Sequence, residues 1–171
     1  MTMRLFFMMF AVLLVSACSS TDNAADSNGL MGDKELMTGT DSLDGVTATG
    51  MPIPGSNEDL VVSVGDRVFF GYDQYNLTDE ARNVLGMQAE WLKQYPNVSV
   101  TIEGHADERG TREYNLALGD RRATSVKNYL IANGIDPMRI HVISYGKERP
   151  AVEGSNPSAW AQNRRGVTVV E

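Results

Sequence analysis

The sequence predicts an α/β sandwich in which one mixed β-sheet carries helices packed on one face. Apolar segments typical of strands alternate with amphipathic segments of helical period along residues 60–170. The loop at residues 146–157 is rich in Pro and Gly and has no room for a long crossover helix, so part of the sheet should be antiparallel. The predicted order is β-α-β-α-β, then a short helix and a final strand.

The first half of this pattern begins with two apolar runs. Residues 60–64 and 67–70 predict one or two strands around a Gly-Asp turn. Thr78 has the side chain of a helix N-cap, and the helix that follows should end at Pro96, which cannot continue it. Residues 98–102 alternate between apolar and polar side chains and indicate a half-buried strand.

The second half begins with a charged loop at residues 104–111 that leads into a second amphipathic helix. An Asn-Gly pair ending at Gly134 predicts the end of that helix, because Gly readily adopts the left-handed conformation found there. Residues 140–144 predict a third strand, residues 158–164 a short helix and residues 166–170 a last strand.

The chain opens with the pattern of a secretory signal at residues 1–17: one cation, Arg4, then a short apolar run and small residues. The run is shorter than the roughly 20 residues that span a bilayer. Cys18 follows directly, and Val-Ser-Ala-Cys resembles a bacterial lipobox, whose cysteine receives N-acyl and S-diacylglycerol chains. The alternative is an unmodified cysteine behind a plain signal. Ser19 resembles the sorting residue of outer-membrane lipoproteins.

The composition divides the rest of the chain into two parts. Residues 18–59 are rich in Ser, Thr, Asp, Asn and Gly without a sustained period, which predicts a flexible tether behind the lipidated cysteine. Residues 60–171 form the folded domain and are long enough to bury a core. The net charge of −7 disfavours binding to nucleic acid or to an anionic lipid surface, because like charges repel.

One acid and one base in the second half are spaced to hold a zwitterion. Asp107 lies just past the end of a strand, and Arg122 lies on the helix that follows, so the chain can fold back and bring them together. The planar fork of arginine matches a carboxylate, and a carboxylate suits an ammonium group. The alternative is a salt bridge between Arg122 and Asp107, Asp120 or Glu113, and the charge pattern alone leaves both open.

Motifs along the folded domain resemble the OmpA-like C-terminal domain family over about residues 68–170. They are Gly-His-Ala-Asp-Glu-Arg-Gly-Thr at 104–111, Arg-Arg-Ala at 121–123, Ser-Tyr-Gly-Lys-Glu at 144–148 and Asn-Arg-Arg at 163–165. The resemblance implies binding to the diaminopimelate side chain in the stem peptide of peptidoglycan.

The resemblance also implies which residues would hold that ligand. The family's acid–arginine pair falls on Asp107 and Arg122, and a second acid falls on Asp73, whose alternative role is that of a simple turn residue. Further candidates for ligand contact are Tyr72, Thr111 and Leu118.

Two other chemistries remain open for the charged loop. Glu103, His105 and Asp107 could bind a metal, although no second histidine is near in sequence. Glu103 and Asp107 could be the acid–base pair of a hydrolase, although nothing marks a nucleophile or a sugar cleft. We expect binding without catalysis, and no cofactor or metal beyond the lipid on Cys18. Packing roles are expected for His105, Trp91 and Trp160, and helix capping for Arg164 and Arg165.

Together the export signal and the resemblance imply a lipoprotein on the periplasmic face of the outer membrane that ties this membrane to the cell wall. The family implies two partners in the Tol system, which are TolA and the periplasmic propeller protein TolB. It also implies that the protein supports envelope integrity and outer-membrane constriction during cell division. The competing hypotheses are a wall-modifying enzyme or its accessory subunit, and a motor stator or porin tail that shares the domain.

Overall fold

The computed structural model of the protein describes Thr47 and residues 50–171. The predicted signal segment, Cys18 and most of the predicted tether lie outside these described residues. The lipidation of Cys18 and the domain boundary at residue 60 therefore stay predictions.

The described chain has the predicted α/β fold, with one α-helix more than expected at its start. A 3₁₀ turn at Pro137–Arg139 precedes the third strand. The elements are, in chain order, α1 (Asn57–Ser63), β1 (Arg67–Phe69), α2 (Asp79–Gln94), β2 (Val100–His105), α3 (Arg112–Ala132), β3 (Ile140–Gly146), α4 (Pro157–Asn163) and β4 (Arg165–Val170).

The prediction of a strand at residues 60–64 is wrong, because most of these residues belong to α1. Ser56 caps this helix, and its hydroxyl accepts a backbone N–H of the first turn at 3.2 Å. Leu60 is fully buried whereas Val62 is 73% exposed, so the apolar run contributes one core residue from a helix. The strand prediction holds for residues 67–69, which form β1.

The four strands form one sheet in the order β1-β4-β2-β3. β2 and β3 are parallel and are connected through α3, whereas β4 lies between β1 and β2 and is antiparallel to both. The predicted mixed sheet is therefore confirmed. Its antiparallel part arises from β4, which follows the loop that lacks a long crossover helix.

α2 and α3 pack against the same face of the sheet. A Cβ built on Gly104 of β2 would lie only 1.9 Å from the carbonyl oxygen of Gly119, so only glycine permits this approach of α3. On the same face, Thr168 of β4 donates a hydrogen bond to Gln88 of α2 at 2.8 Å. The close approach places the first half of α3 over the end of β2, where the charged loop begins.

The hydrophobic core lies between this sheet face and the helices. Among the helices of the described part, none combines the length and apolar character needed to cross a membrane. The fully buried core side chains are Leu60, Leu85, Leu92, Val100, Ile102, Ala123 and Leu130.

Candidate functional site

A cavity of about 190 Å³ lies where the chain leaves β1 and β2 and meets the first turns of α3. Its walls come from the segment after β1, from the charged loop and from α3. Every predicted ligand contact except Thr111 is among the lining residues. These are Tyr72, Asp73, Asp107, Arg109, Gly110, Tyr114, Asn115, Leu118 and Arg122.

Arg122 is fully buried and ties two distant backbone segments to α3. Its Nε donates to the carbonyl oxygen of Gln74 at 2.8 Å, its Nη1 to that of His105 at 2.7 Å and its Nη2 to that of Gly71 at 3.1 Å. Burial, and after it the charge of Arg164, lowers the pKa of Arg122 to about 10. The guanidinium is therefore positively charged at neutral pH.

The salt bridge considered for Arg122 is not formed. In the described part of the chain, no carboxylate oxygen lies within 4.0 Å of its guanidinium nitrogens, and Asp107 pairs with other arginines. Asp107 and Asp73 act on Arg122 at longer range, and both raise its pKa. A buried guanidinium that faces a cavity without a direct carboxylate partner offers a binding place for an anion.

Asp107 is 5% exposed and is bound by two arginines. Arg109 donates to it from Nη2 at 2.6 Å, from Nε at 3.0 Å and from its backbone N–H at 3.1 Å. Arg164 adds a contact from Nη1 at 3.4 Å. Burial alone would raise the pKa of Asp107, but the hydrogen bonds and charge of Arg109 outweigh it and the net pKa is lowered. Asp107 is thus a carboxylate at neutral pH.

The side chain of Arg109 is held between two aromatic rings at the mouth of the cavity. Its guanidinium carbon lies 4.1 Å from the ring centroid of Tyr72 and 4.1 Å from that of Trp160. The indole N–H of Trp160 donates to the carboxylate of Glu108 at 2.9 Å. Trp160 is therefore partly buried, as predicted, but its packing partner is a charged group of the candidate site. We call these three residues, Tyr72, Arg109 and Trp160, the aromatic clamp.

Asp73 lines the same cavity from the segment after β1. Its φ of 56° is the left-handed conformation, which Asp and Asn tolerate better than most residues. Its carboxylate accepts a hydrogen bond from the phenol of Tyr114 on α3. Asp73 is therefore both a turn residue, as its alternative interpretation required, and a lining residue of the cavity.

The two further candidates from α3 and its N-terminus occupy different positions. Leu118 is 4% exposed and forms an apolar part of the cavity wall. Thr111 is the N-cap of α3, and its hydroxyl accepts the backbone N–H of Tyr114 at 3.2 Å. Thr111 is not among the lining residues, so its ligand contact stays a prediction and its geometry is that of a helix cap.

Several residues that build the site were not singled out from the sequence. Asn115 is buried and donates from its amide to the carbonyl oxygen of Arg109 at 2.9 Å, which fixes the charged loop. Arg109 itself was recognised only as part of a motif. Its position two residues after Asp107 was the available signal, because a loop acid and a nearby arginine can form a short-range pair.

Both neighbouring arginines expected to cap the short helix lie at its C-terminal end. Arg164 is the C-cap residue, with its backbone N–H 3.1 Å from the carbonyl oxygen of Trp160, and Arg165 donates to the carbonyl oxygen of Asn163 at 3.4 Å. The side chain of Arg164 reaches further, to the carbonyl oxygen of Phe70 at 2.9 Å and to the carboxylate of Asp107. The pairing of β4 with β1 and β2 brings Arg164 to the site, and no local sequence signal marks that contact.

The geometry also bears on the metal and hydrolase interpretations. Within residues 50–171 and Thr47, no three His, Cys, Asp or Glu side chains are grouped to hold a metal ion. His105 is 1% exposed and 3.4 Å from the carboxylate of Glu103, and burial followed by the charge of Arg165 lowers its pKa to about 4. It is neutral at pH 7. A hydrolase acid needs a raised pKa, whereas that of Asp107 is lowered.

A larger groove of about 620 Å³ runs along α1 and α2. Its charged side chains include Arg82 and Glu90, which are exposed and form ion pairs with Asp79 and Lys93 on the same helix. Such surface pairs leave little unbalanced charge for a ligand. The smaller cavity is the better candidate because two of its charged side chains, those of Asp107 and Arg122, are buried.

Comparison with known proteins identifies the family. The model of the OmpA family matches residues 69–164. The chain is 43% identical over 162 residues to a peptidoglycan-associated lipoprotein of Agrobacterium fabrum, a match that covers 95% of this chain and 84% of the relative. It is 53% identical over 121 residues to one of Rhizobium meliloti, which covers 71% of this chain and 69% of that relative.

A solved structure gives the same result. The crystal structure of the peptidoglycan-associated lipoprotein from Burkholderia pseudomallei has a TM-score of 0.61 at 40% identity, and the match covers 62% of this chain and 90% of that one. The chain therefore belongs to the OmpA family and, within it, to the peptidoglycan-associated lipoproteins. The predicted family and fold class are confirmed.

Proposed function

We propose that this chain binds peptidoglycan non-covalently and that its cavity takes the diaminopimelate of the stem peptide. The observation that carries the proposal is a buried, charged Arg122 that shares one cavity with the carboxylates of Asp73 and Asp107. The free end of the diaminopimelate side chain bears an ammonium and a carboxylate on the same carbon. A cavity with opposite charges on its walls is complementary to such a zwitterion.

The hydrogen-bonding capacity of Arg122 supports this assignment. A guanidinium has five N–H donors, and backbone carbonyls take three of those of Arg122. The remaining donors suit the ligand's carboxylate, and Asp73 and Asp107 suit its ammonium. Leu118 supplies an apolar wall for the methylene chain between the two ends of diaminopimelate.

We propose binding without turnover. The site holds Asp107 as a carboxylate between arginines, which suits ion pairing rather than proton donation. The relatives are named as lipoproteins and not as enzymes. Purified sacculi incubated with the protein should release no soluble fragments, and release that Asp107→Asn abolishes would favour the enzyme hypothesis instead.

We further propose that the protein is anchored in the outer membrane by lipid on Cys18 and tethers that membrane to the wall. Each site is small and would bind weakly by itself. Many anchored copies facing a polymeric wall would still attach firmly, because each bound copy raises the effective concentration of the next. By family resemblance, TolB and TolA are the proposed partners, and outer-membrane constriction during division is the proposed setting.

The ligand assignment is tested by co-sedimentation of the full chain, in detergent, with two kinds of sacculi. Peptidoglycan with diaminopimelate should bind, whereas peptidoglycan with lysine should not, because lysine lacks the distal carboxylate that Arg122 would bind. Free meso-diaminopimelate should compete and free lysine should not. Equal binding to both walls would exclude the proposed role of Arg122.

The anchor is tested separately by Cys18→Ser. Fractionation should move the protein from the outer membrane to the periplasmic fraction, because the acyl chains can no longer attach. The cells are first treated with lysozyme, so that binding to peptidoglycan cannot retain the protein. If the variant still fractionates with the outer membrane after this treatment, the lipid anchor is contradicted.

A further inference from the structure

The charged groups of the site do not balance. Three guanidinium groups, those of Arg109, Arg122 and Arg164, surround the two carboxylates of Asp73 and Asp107. A zwitterionic ligand adds no net charge, so the site would keep one surplus positive charge after binding it. A ligand with one more carboxylate than ammonium would neutralise the site.

Arg109 is the cation placed to receive that extra carboxylate. Arg122 is fully buried and Arg164 lies behind Asp107 with 15% of its side chain exposed, whereas 34% of the Arg109 side chain is exposed at the mouth of the cavity. Arg109 uses Nε and Nη2 for Asp107. Its Nη1 has no partner within the described part of the chain, so its two N–H bonds are available to a ligand.

The aromatic clamp prepares Arg109 for this role. The guanidinium carbon lies 4.1 Å from each ring centroid, whereas the side-chain hydrogen bonds of Arg109 go to the carboxylate of Asp107 and not to either ring residue. The clamp therefore restricts the side chain without occupying the free donors. A side chain that is already ordered loses less conformational entropy when it binds a carboxylate.

The charges just outside the clamp do not cancel this surplus. Glu108 is bound by the indole N–H of Trp160, and Lys147 lies beside it, with its Nζ 3.3 Å from the carbonyl oxygen of Glu108 and 2.8 Å from that of Gly110. Glu108 acts on both Arg109 and Lys147, but this outer acid and base carry opposite charges and together leave the net charge of the site unchanged. Arg121 lies near Tyr75, with 5.8 Å between its guanidinium carbon and the centroid of that ring. Because Arg121 is a cation, it cannot cancel the positive surplus.

We infer that Arg109, held in the aromatic clamp, binds a second carboxylate of the ligand at the mouth of the cavity. The inference rests on the proposed binding of diaminopimelate and narrows its ligand class to acidic stem peptides. In a stem peptide, the residue before diaminopimelate is a γ-linked glutamate whose α-carboxylate is free. That group is the carboxylate nearest to diaminopimelate in the chain, and its amidation removes the charge.

The experiment compares two synthetic tripeptides, L-Ala-γ-D-Glu-meso-diaminopimelate and the same peptide with the glutamate α-carboxylate amidated. Isothermal titration of the full chain in detergent should give about tenfold tighter binding of the acid form, a difference expected from one charge-assisted contact. In Arg109→Gln the ratio of the two affinities should fall to about one. The measured quantity is the ratio of the affinities for the acid and the amidated peptide. The substitution also removes a partner of Asp107, but that loss should change both affinities equally and leave their ratio unchanged.

Arg112→Gln is the matched control, since Arg112 is an arginine of the same segment whose side chain is 73% exposed and lies outside the cavity lining. It should keep the tenfold ratio. Equal affinity of the two peptides for the wild-type protein would show that Arg109 is only the counter-ion of Asp107, and would overturn the inference while leaving the proposed function intact. If free meso-diaminopimelate also failed to bind, both this inference and the proposed function would be contradicted.

Discussion

Two arginines of the site, Arg122 and Arg109, are held in opposite ways. Arg122 is fully buried, and its hydrogen bonds go to three backbone carbonyls from two distant segments. Arg109 is one-third exposed and is bound by the carboxylate of Asp107 and by two aromatic rings. One arginine is part of the scaffold as well as a proposed ligand group, whereas the other is supported by side chains alone.

The difference predicts how each arginine couples binding to stability. Removal of Arg122 takes a charged donor from three backbone carbonyls, including the buried one of His105, so stability and binding should fall together. Removal of Arg109 leaves Asp107 its contacts to Arg164 and to the backbone N–H of residue 109, so it should cost less stability than removal of Arg122 and change ligand preference more. Substitutions for which stability and binding are measured separately therefore test this difference between the two arginines.

The largest effect is expected for Arg122→Met. The variant should lose about 3–5 kcal/mol of unfolding free energy, because it removes a buried charge and takes a charged donor from the carbonyls of Gly71, Gln74 and His105. Urea denaturation measures the loss. Arg122→Lys, which keeps the charge but not the planar fork, should be intermediate. Wild-type stability of the Met variant would contradict the scaffold role of Arg122.

A smaller effect is expected for Asp107→Asn, about 2 kcal/mol at pH 7, because the arginines lose a charged acceptor. The folded state lowers the pKa of Asp107, so its contribution is present above about pH 4 and is lost as the pH falls through the lowered pKa. The difference between wild type and variant should therefore shrink below pH 4. Denaturation from pH 2 to 7 measures it, and a constant difference would contradict this assignment.

Asp73→Asn should separate binding from folding. Asn tolerates the left-handed φ and can still accept from Tyr114, so unfolding free energy should change by less than about 1 kcal/mol. Loss of the charge should weaken competition by free meso-diaminopimelate about tenfold. Asp73→Ala is the control for backbone strain, since it should also destabilise the fold. Unchanged competition by the Asn variant would remove Asp73 from the ligand site.

The smallest effect is expected for Thr111→Ala, which removes the cap of α3 and should cost about 1 kcal/mol. Sacculus binding should stay at the wild-type level, because Thr111 does not line the cavity. Thr111→Ser keeps the capping hydroxyl and should restore the stability. A binding defect in Thr111→Ala at wild-type stability would instead restore the ligand contact predicted from the family.

The helices and strands that could be predicted are those whose signals are local. Thr78 caps α2, the Asn133-Gly134 pair ends α3, and the alternation before the charged loop marks β2, since caps and periodicity depend on residues a few positions apart. The prediction for residues 60–64 was wrong because their local signal does not distinguish a strand from a helix. Apolar residues in a row fit a strand or a helix equally, and the burial of Leu60 against the core decides for the helix.

The sequence was enough to predict the order of the elements from β1 onward, the mixed sheet and the charged residues around Asp107 and Arg122, but not α1. Tertiary structure alone decided that these two do not pair, that Asp107 is shared by Arg109 and Arg164, and that Trp160 holds Arg109. The physical reason is distance along the chain. Trp160 and Arg164 lie more than fifty residues from Asp107, and only the packing of α4 and the insertion of β4 between β1 and β2 bring them to the cavity.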